Sequence, residues 1–315
     1  MLGATALCAS AAAAATPVDR LGAGLSARAK AGVFSGVVLV ARNGRPIFVH
    51  GYGVDRATHR PNRPHTAFGI SAMREMFTAV AVAQLVQAGK LRFEDRVGRY
   101  LPELPKPVRR QVTIAELLDQ TSGLTESLPG SGKRPKNLTA YLARERLRFT
   151  PGSRFSRSHA GFTIAALVVA KTSGESITSY LSSHVWAPAA MTHTGCPRKG
   201  VQSTGTPRGC HSTVGDLLKF ANALLGNRLV NARLTTTLTT GKVASPGGQY
   251  AYGFAIRTRG HGDPPTIWHS TDSATAAGEL DINPRLATTI VILTNQAAKT
   301  AQPTIDFSLG TFGMP

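Results

Sequence analysis

"FGISAMREMFTAVAVAQLVQAGKL", Phe68 to Leu91, is the stretch on which the reading of this chain turns. Met73, Met76, Phe77, Val80, Ala81, Leu85 and Val86 recur at helical spacing and predict one apolar face. Ser71 stands where an N-cap is wanted, and Gly89 stands where a helix ends in the left-handed conformation. Glu75 falls in the first turn, where an acid favours a helix start.

Outward from this helix the period changes. Upstream, "FSGVVLVARNGRPIFVHGYG" is two β-rich runs around Asn43-Gly44, a strong hairpin signal. Downstream, "DRVGRYLPELP" reads as a turn-rich connector and "TIAELLDQTSG" as a short helix ending at Gly123. Residues 125–152 are rich in Gly, Pro and Lys and read as loop. "HAGFTIAALVVAKTSG", "ITSYLSSHVWAPA" and "STVGDLLKFANALLG" are further helices. After Ser245, "YAYGFAIRTRG", "AAGELDIN" and "LATTIVILTNQ" read as three strands, the last two joined by a turn at "NPR", with room for a final helix. Consecutive hairpins imply an antiparallel sheet. The N-terminal hairpin most simply joins the C-terminal strands, with the helical part inserted between them. The expected architecture is α+β: sheet residues about 30–70 and 245–315, helical residues about 71–244.

In order and spacing the chain resembles the serine β-lactamase and penicillin-binding-protein superfamily, in its class C-like branch of hydrolases and esterases. The landmarks are "MFTAVAVAQLVQAGKL", "YLPELP", "VTIAELLDQTSGL", "PGSRFS", "APAAMTHTG", "STVGDLLKFANALL" and "GELDINP…TIVILTNQ", spread from about Gly36 to Gln296. The resemblance implies a β-lactamase/transpeptidase-like domain over residues 18–315, with no cofactor and no metal. It also implies three chemical motifs. A Ser-x-x-Lys opens the first long helix, where terminal N–H groups favour developing negative charge and the lysine takes the serine's proton. A Tyr-x-Asn supplies a second proton carrier. A His/Lys-x-Gly on a late strand lends an N–H to an oxyanion hole.

None of the three motifs is intact. Anchored on "MFTAVA", the nucleophile position is Ala72 and the lysine position is Glu75. Anchored on "AGF", Tyr-x-Asn becomes Arg157-Ser158-His159. Anchored on "GELD", the late motif is His269-Ser270-Thr271, followed by "DSATAA" with Asp272. The histidine of the family's "HTSGL" is Gln120. Ser71 with Arg74 has Ser-x-x-Arg spacing, but it lies one residue out of phase, about 100° around the helix. Arginine stays protonated and cannot serve as the base. Two readings follow: a member that has lost its catalysis and binds or scaffolds, or a hydrolase with a rearranged site on Ser71, Ser158 or Ser270. The substituted cluster of Glu75, Arg157, His159, His269 and Asp272 reads as an ion-pair network, a charged-ligand site, a new acid/base site or a metal site. Its simplest form pairs Glu75 with Arg157 or His159, because a lone buried carboxylate is costly.

The remaining features bound the partners. The chain carries 36 Lys and Arg against 17 Asp and Glu, a net charge of +19, without a block of five like charges. No nucleic-acid-binding signature accompanies it, so the basic surface reads as solvation rather than recognition. The resemblance admits a small charged ligand or a peptidoglycan- or ester-like molecule. "MLGATALCASAAAAATP", residues 1–17, reads as a leader without a basic n-region, which points to a secreted or periplasmic protein; the alternative is a disordered Ala-rich segment. Beyond it no apolar run is long enough to span a membrane. Cys196 and Cys210 are 14 residues apart and either pair in an oxidising compartment or stay as thiols.

Overall fold

The computed structural model describes residues 14–55, 58–125, 146–196, 209–258, 265–273 and 275–314. Within them an antiparallel sheet of eight strands runs in the order β2-β1-β10-β9-β8-β7-β6-β5. The strands are β1 (Gly36–Arg42), β2 (Arg45–Tyr52), β5 (Val243–Ser245), β6 (Gly248–Tyr250), β7 (Ala255–Arg257), β8 (Thr266–Asp272), β9 (Ala277–Asn283) and β10 (Thr288–Thr294). A separate two-stranded ribbon pairs β3 (Phe68–Gly69) with β4 (His211–Ser212). The two ends of the chain meet where β1 pairs β10, with Val38 opposite Ile292 and Val40 opposite Ile290. The N-terminal hairpin thus joins the C-terminal strands, as the order of elements implied.

Strands β1, β9 and β10 are buried on both faces, and β1 and β10 accordingly read as largely apolar, β-branched runs. Val37, Leu39, Val291 and Leu293 face the large core under the helical part. Val38, Val40, Ile290 and Ile292 face a second core with Leu21, Leu25, Ile305 and Leu309. Those last four residues lie on α1 (Pro17–Lys30) and on the C-terminal helix Ala298–Thr311. Helix α1 was not read from the sequence. Its signal is local: Thr16 and Asp19 form a reciprocal capping box, with Pro17 at the first position. The hairpin turn is as expected, with Asn43 and Gly44 both at positive φ, 50° and 72°.

The expected strand "YAYGFAIRTRG" is broken in two. Gly253 sits between β6 and β7 at φ +79°, and a Cβ there would lie 2.7 Å from the Cβ of Ala79. The chain turns at this point so that its backbone can pass close against the buried helix α2 (Arg74–Gln87). Two further elements emerge in the expected connector, a 3₁₀ turn Val97–Arg99 and α3 (Lys106–Gln111). The short helix α4 (Ile114–Leu118) ends before Gly123, at Asp119.

Helix α2 departs from its sequence reading in two ways. Residues 75–83 are all buried, so the helix is enclosed rather than half-exposed. It packs on the helix His159–Ser173 and on Ala232–Thr239 as well as on the sheet side. Nor does Ser71 cap it. Ser71–Met73 form a 3₁₀ turn without a side-chain cap, and the tighter turn satisfies the first N–H groups with nearby carbonyls. The entrance is instead set from outside, where the Ile70 N–H donates to the Cys210 carbonyl at 2.9 Å and β8 packs against residues 71–73.

Candidate functional site

The 3₁₀ turn leaves Ser71 exposed and Ala72 buried, with 9 % of its surface accessible. One turn further on, Glu75 is buried, at 4 %. Three side chains surround its Oε2 oxygen. Gln120 Nε2 donates at 3.3 Å, the Tyr250 hydroxyl donates at 3.4 Å, and His269 Nε2 lies at 3.4 Å. Oε1 has His159 Nε2 at 3.8 Å, in ion-pair range but beyond hydrogen-bond length. Arg157 does not take part in this pairing; it lies exposed one residue before the buried Ser158. The expected ion pair of Glu75 therefore forms with histidines. The N-terminus of the His159–Ser173 helix delivers the first, and β8 the second.

Gln120 organises the floor of the site. Besides donating to Glu75, it accepts the Ser158 N–H at 2.6 Å, and its own carbonyl accepts the Ser156 N–H. It does so from the left-handed region, φ +65°, which a non-glycine residue visits at a cost. Ser158 caps the following helix: its Oγ accepts from Gly161 N and donates to the Thr125 carbonyl. That hydroxyl is occupied in holding structure. On β8, His269 and Thr271 share a buried face, while Ser270 between them points to the other side of the sheet. Of the three alternative serines, Ser71 alone is both exposed and on the turn that carries Ala72.

Protons can be placed from these contacts. His269 Nδ1 lies 2.8 Å from the Ser270 carbonyl, which can only accept, so Nδ1 carries a hydrogen. Nε2, the other ring nitrogen, faces Glu75 Oε2 at 3.4 Å, so it points into the buried network rather than towards an incoming nucleophile. Tyr250 is no substitute. Burial first, and the adjacent Glu75 charge second, hold its phenol well above the ordinary value, so it stays a neutral donor. Asp272 is exposed at the end of β8. Among the described residues, no group of three or more His, Cys, Asp or Glu side chains is disposed to hold a metal ion.

Comparison with known proteins now bears on this geometry. The Beta-lactamase family model matches residues 18–309. The chain belongs to the β-lactamase family. Similar relatives in this family are the putative penicillin-binding protein PbpX of Bacillus subtilis, 32 % identical over 164 residues, and penicillin-binding protein 4* of the same organism, 31 % identical over 172 residues. Those matches cover 51 % of this chain in both cases, and only 41 % and 38 % of the relatives' own length. The solved penicillin-binding protein of Bacillus halodurans superposes with a TM-score of 0.78 at 25 % identity, covering 90 % of this chain and 98 % of that one. A class C β-lactamase superposes at 0.77 with 20 % identity, covering 93 % of this chain and 95 % of that one, which shows the shared fold.

The β-lactamase-family fold explains why residues so far apart in sequence gather here. Glu75, His159 and His269 were matched to motif positions, and the structure brings them together. Gln120 was visible as a departure from a landmark, without the role it has. Tyr250 went unread: it lies 175 residues from Glu75, on a short strand whose local pattern marks only burial.

Proposed function

We propose that this chain is a β-lactamase-family member that forms no acyl-enzyme and instead binds a ligand in the substituted site. The observation that carries this reading is the pair Ala72 and Glu75. A methyl group stands at the nucleophile position, and one turn beneath it a buried carboxylate replaces the cationic base. Nucleophilic catalysis needs a nucleophile with a base in reach. Glu75 is held by Gln120, Tyr250 and His269, so the base position serves a closed network rather than an incoming proton. The ligand is a small charged molecule or a peptidoglycan- or ester-like one, in keeping with the penicillin-binding relatives. The Cys196–Cys210 disulfide supports an exported protein, because such bonds persist in oxidising compartments.

The test is covalent labelling by a fluorescent penicillin and by a fluorophosphonate, with nitrocefin and p-nitrophenyl ester turnover alongside. Neither label attaches in stoichiometric yield and turnover stays at background. A saturable burst from pure protein overturns the proposal. A second reading, a hydrolase working from Ser71, is favoured by that residue's exposure at the helix entrance. Mass spectrometry of the labelled chain would then find the acyl group on Ser71.

A further inference from the structure

We propose that the Cys196–Cys210 disulfide is a redox clamp on the entrance of the substituted site. The bond lies next to a closed backbone bridge: Gly195 N donates to the His211 carbonyl at 3.1 Å, and His211 N donates back to Gly195 at 2.9 Å. His211 and Ser212 then pair with Gly69 and Phe68 in the β3–β4 ribbon. The Cys210 carbonyl itself accepts the Ile70 N–H, two residues before Ala72. The Thr194 hydroxyl meets the Ser212 hydroxyl at 2.7 Å and so ties the other side of the bridge to the same ribbon. Cys210 is buried in the main core, with Cys196 packed partly buried against it.

Ser71–Met73 has no side-chain cap; besides the buried Met73 and the bond from Arg74 Nε to the Ser71 carbonyl at 3.1 Å, the ribbon and β8 hold it from outside. A covalent link behind one of these outer supports is where a chemical change reaches the site. The reductant is a dithiol. Its thiolate attacks Sγ of Cys196, the less buried residue of the two, and forms a mixed disulfide. The Cys210 thiolate leaves and takes a proton. The second thiol of the reductant then closes on its own sulfur, releasing Cys196 as a thiol. Two electrons pass to the protein, and the dithiol becomes a disulfide. The 195–196 strand is then tied to 210–211 by hydrogen bonds alone, and the Ile70 contact loosens with it.

Hydrogen–deuterium exchange tests this without any ligand, and independently of whether the site is catalytic. The chain is prepared with Cys8→Ser, so that Cys196 and Cys210 are its two remaining cysteines. It is compared oxidised, reduced with dithiothreitol, and as the Cys196→Ser/Cys210→Ser variant. Exchange across residues 66–76 and 209–214 rises about tenfold or more on reduction and in the double variant, while β1 and β10 keep their protection. No change at 66–76 overturns the clamp. So does an equal rise in β1 and β10, or unfolding on reduction, since either makes the bond a general staple. Titratable thiols at positions 196 and 210 in the air-oxidised protein also overturn it. If the double variant does not fold, the reduced chain carries the comparison.

Discussion

Glu75 Oε2 and His269 Nε2 lie 3.4 Å apart, one from the first turn of α2 and the other from the middle of β8. The His269 ring also donates to the Ser270 carbonyl, so both of its nitrogens are engaged inside the buried network.

Restoring the nucleophile alone leaves the site inert. Ala72→Ser places a hydroxyl one turn from Glu75, but that carboxylate stays tied to His269, Gln120 and Tyr250. The combined variant Ala72→Ser/Glu75→Lys/Arg157→Tyr/His159→Asn supplies base and proton carrier together. A positioned acid or base is worth about 10²–10⁴ in rate. Ester hydrolysis by the fourfold variant should exceed that of Ala72→Ser by about 10²-fold. Equal rates would refute the assignment of position 75.

Gln120→Ala should destabilise the fold by about 2–6 kcal/mol, because it leaves the Ser158 N–H and Glu75 each short of a buried partner at about 1–3 kcal/mol apiece. Gln120→Gly loses the same contacts but suits the left-handed backbone at φ +65°. It should be the more stable of the two by about 1 kcal/mol. Urea unfolding of both variants measures the order, and the reverse order would show that backbone strain at this position is negligible.

A buried acidic pair sets a pH dependence. Glu279 and Asp281 on β9 share Arg257, at 2.7 Å from Glu279 and in direct contact with Asp281, while Asp306 adds negative charge from the C-terminal helix. Burial raises both carboxyls above their ordinary values, Asp281 well above. The folded state thus keeps protons that the unfolded chain has released once the pH exceeds about 4. Stability from this pair falls as the pH rises from there towards the raised folded values. Asp119, pushed by burial up to about 6, acts in the same direction between its ordinary 3.8 and about 6. Asp281→Asn removes the largest part. It should raise stability at pH 7.5 relative to wild type. At pH 4 the gain should shrink. Denaturant midpoints at the two pH values decide it, and a gain that is larger at pH 4 would reverse the sign of the argument.

Gly253→Ala should cost about 2–4 kcal/mol. The new Cβ would meet the Ala79 Cβ at 2.7 Å and the Glu75 carbonyl oxygen at 3.1 Å, in a backbone at φ +79°. Ala79→Gly in the same chain should recover part of the loss by removing the first clash. Thermal unfolding of the single and double variants tests it, and no recovery would place the cost in the backbone alone.

Much of this molecule was determined by local sequence. The Asn43-Gly44 hairpin, the helix stop at Gly89 and the doubly buried strands follow from turn chemistry and hydrophobic period, which act within a few residues. The places of Ala72 and Glu75 at the entrance of the first long helix likewise need only the frame of "MFTAVA" to be read. Local sequence also held the capping box of α1 at Thr16 and Asp19, although its period was not followed there. What tertiary structure decided lies between elements. Glu75 turned to His269, Gln120 and Tyr250 rather than to Arg157, Ser71 surrendered its capping role, and Cys196 met Cys210. The reason is that a buried carboxylate takes its partners from whatever donors the packing brings within about 3.5 Å. Those donors arrive on strands and loops from 45 residues away at Gln120 to 175 at Tyr250 and further still at His269, where no local period carries their register.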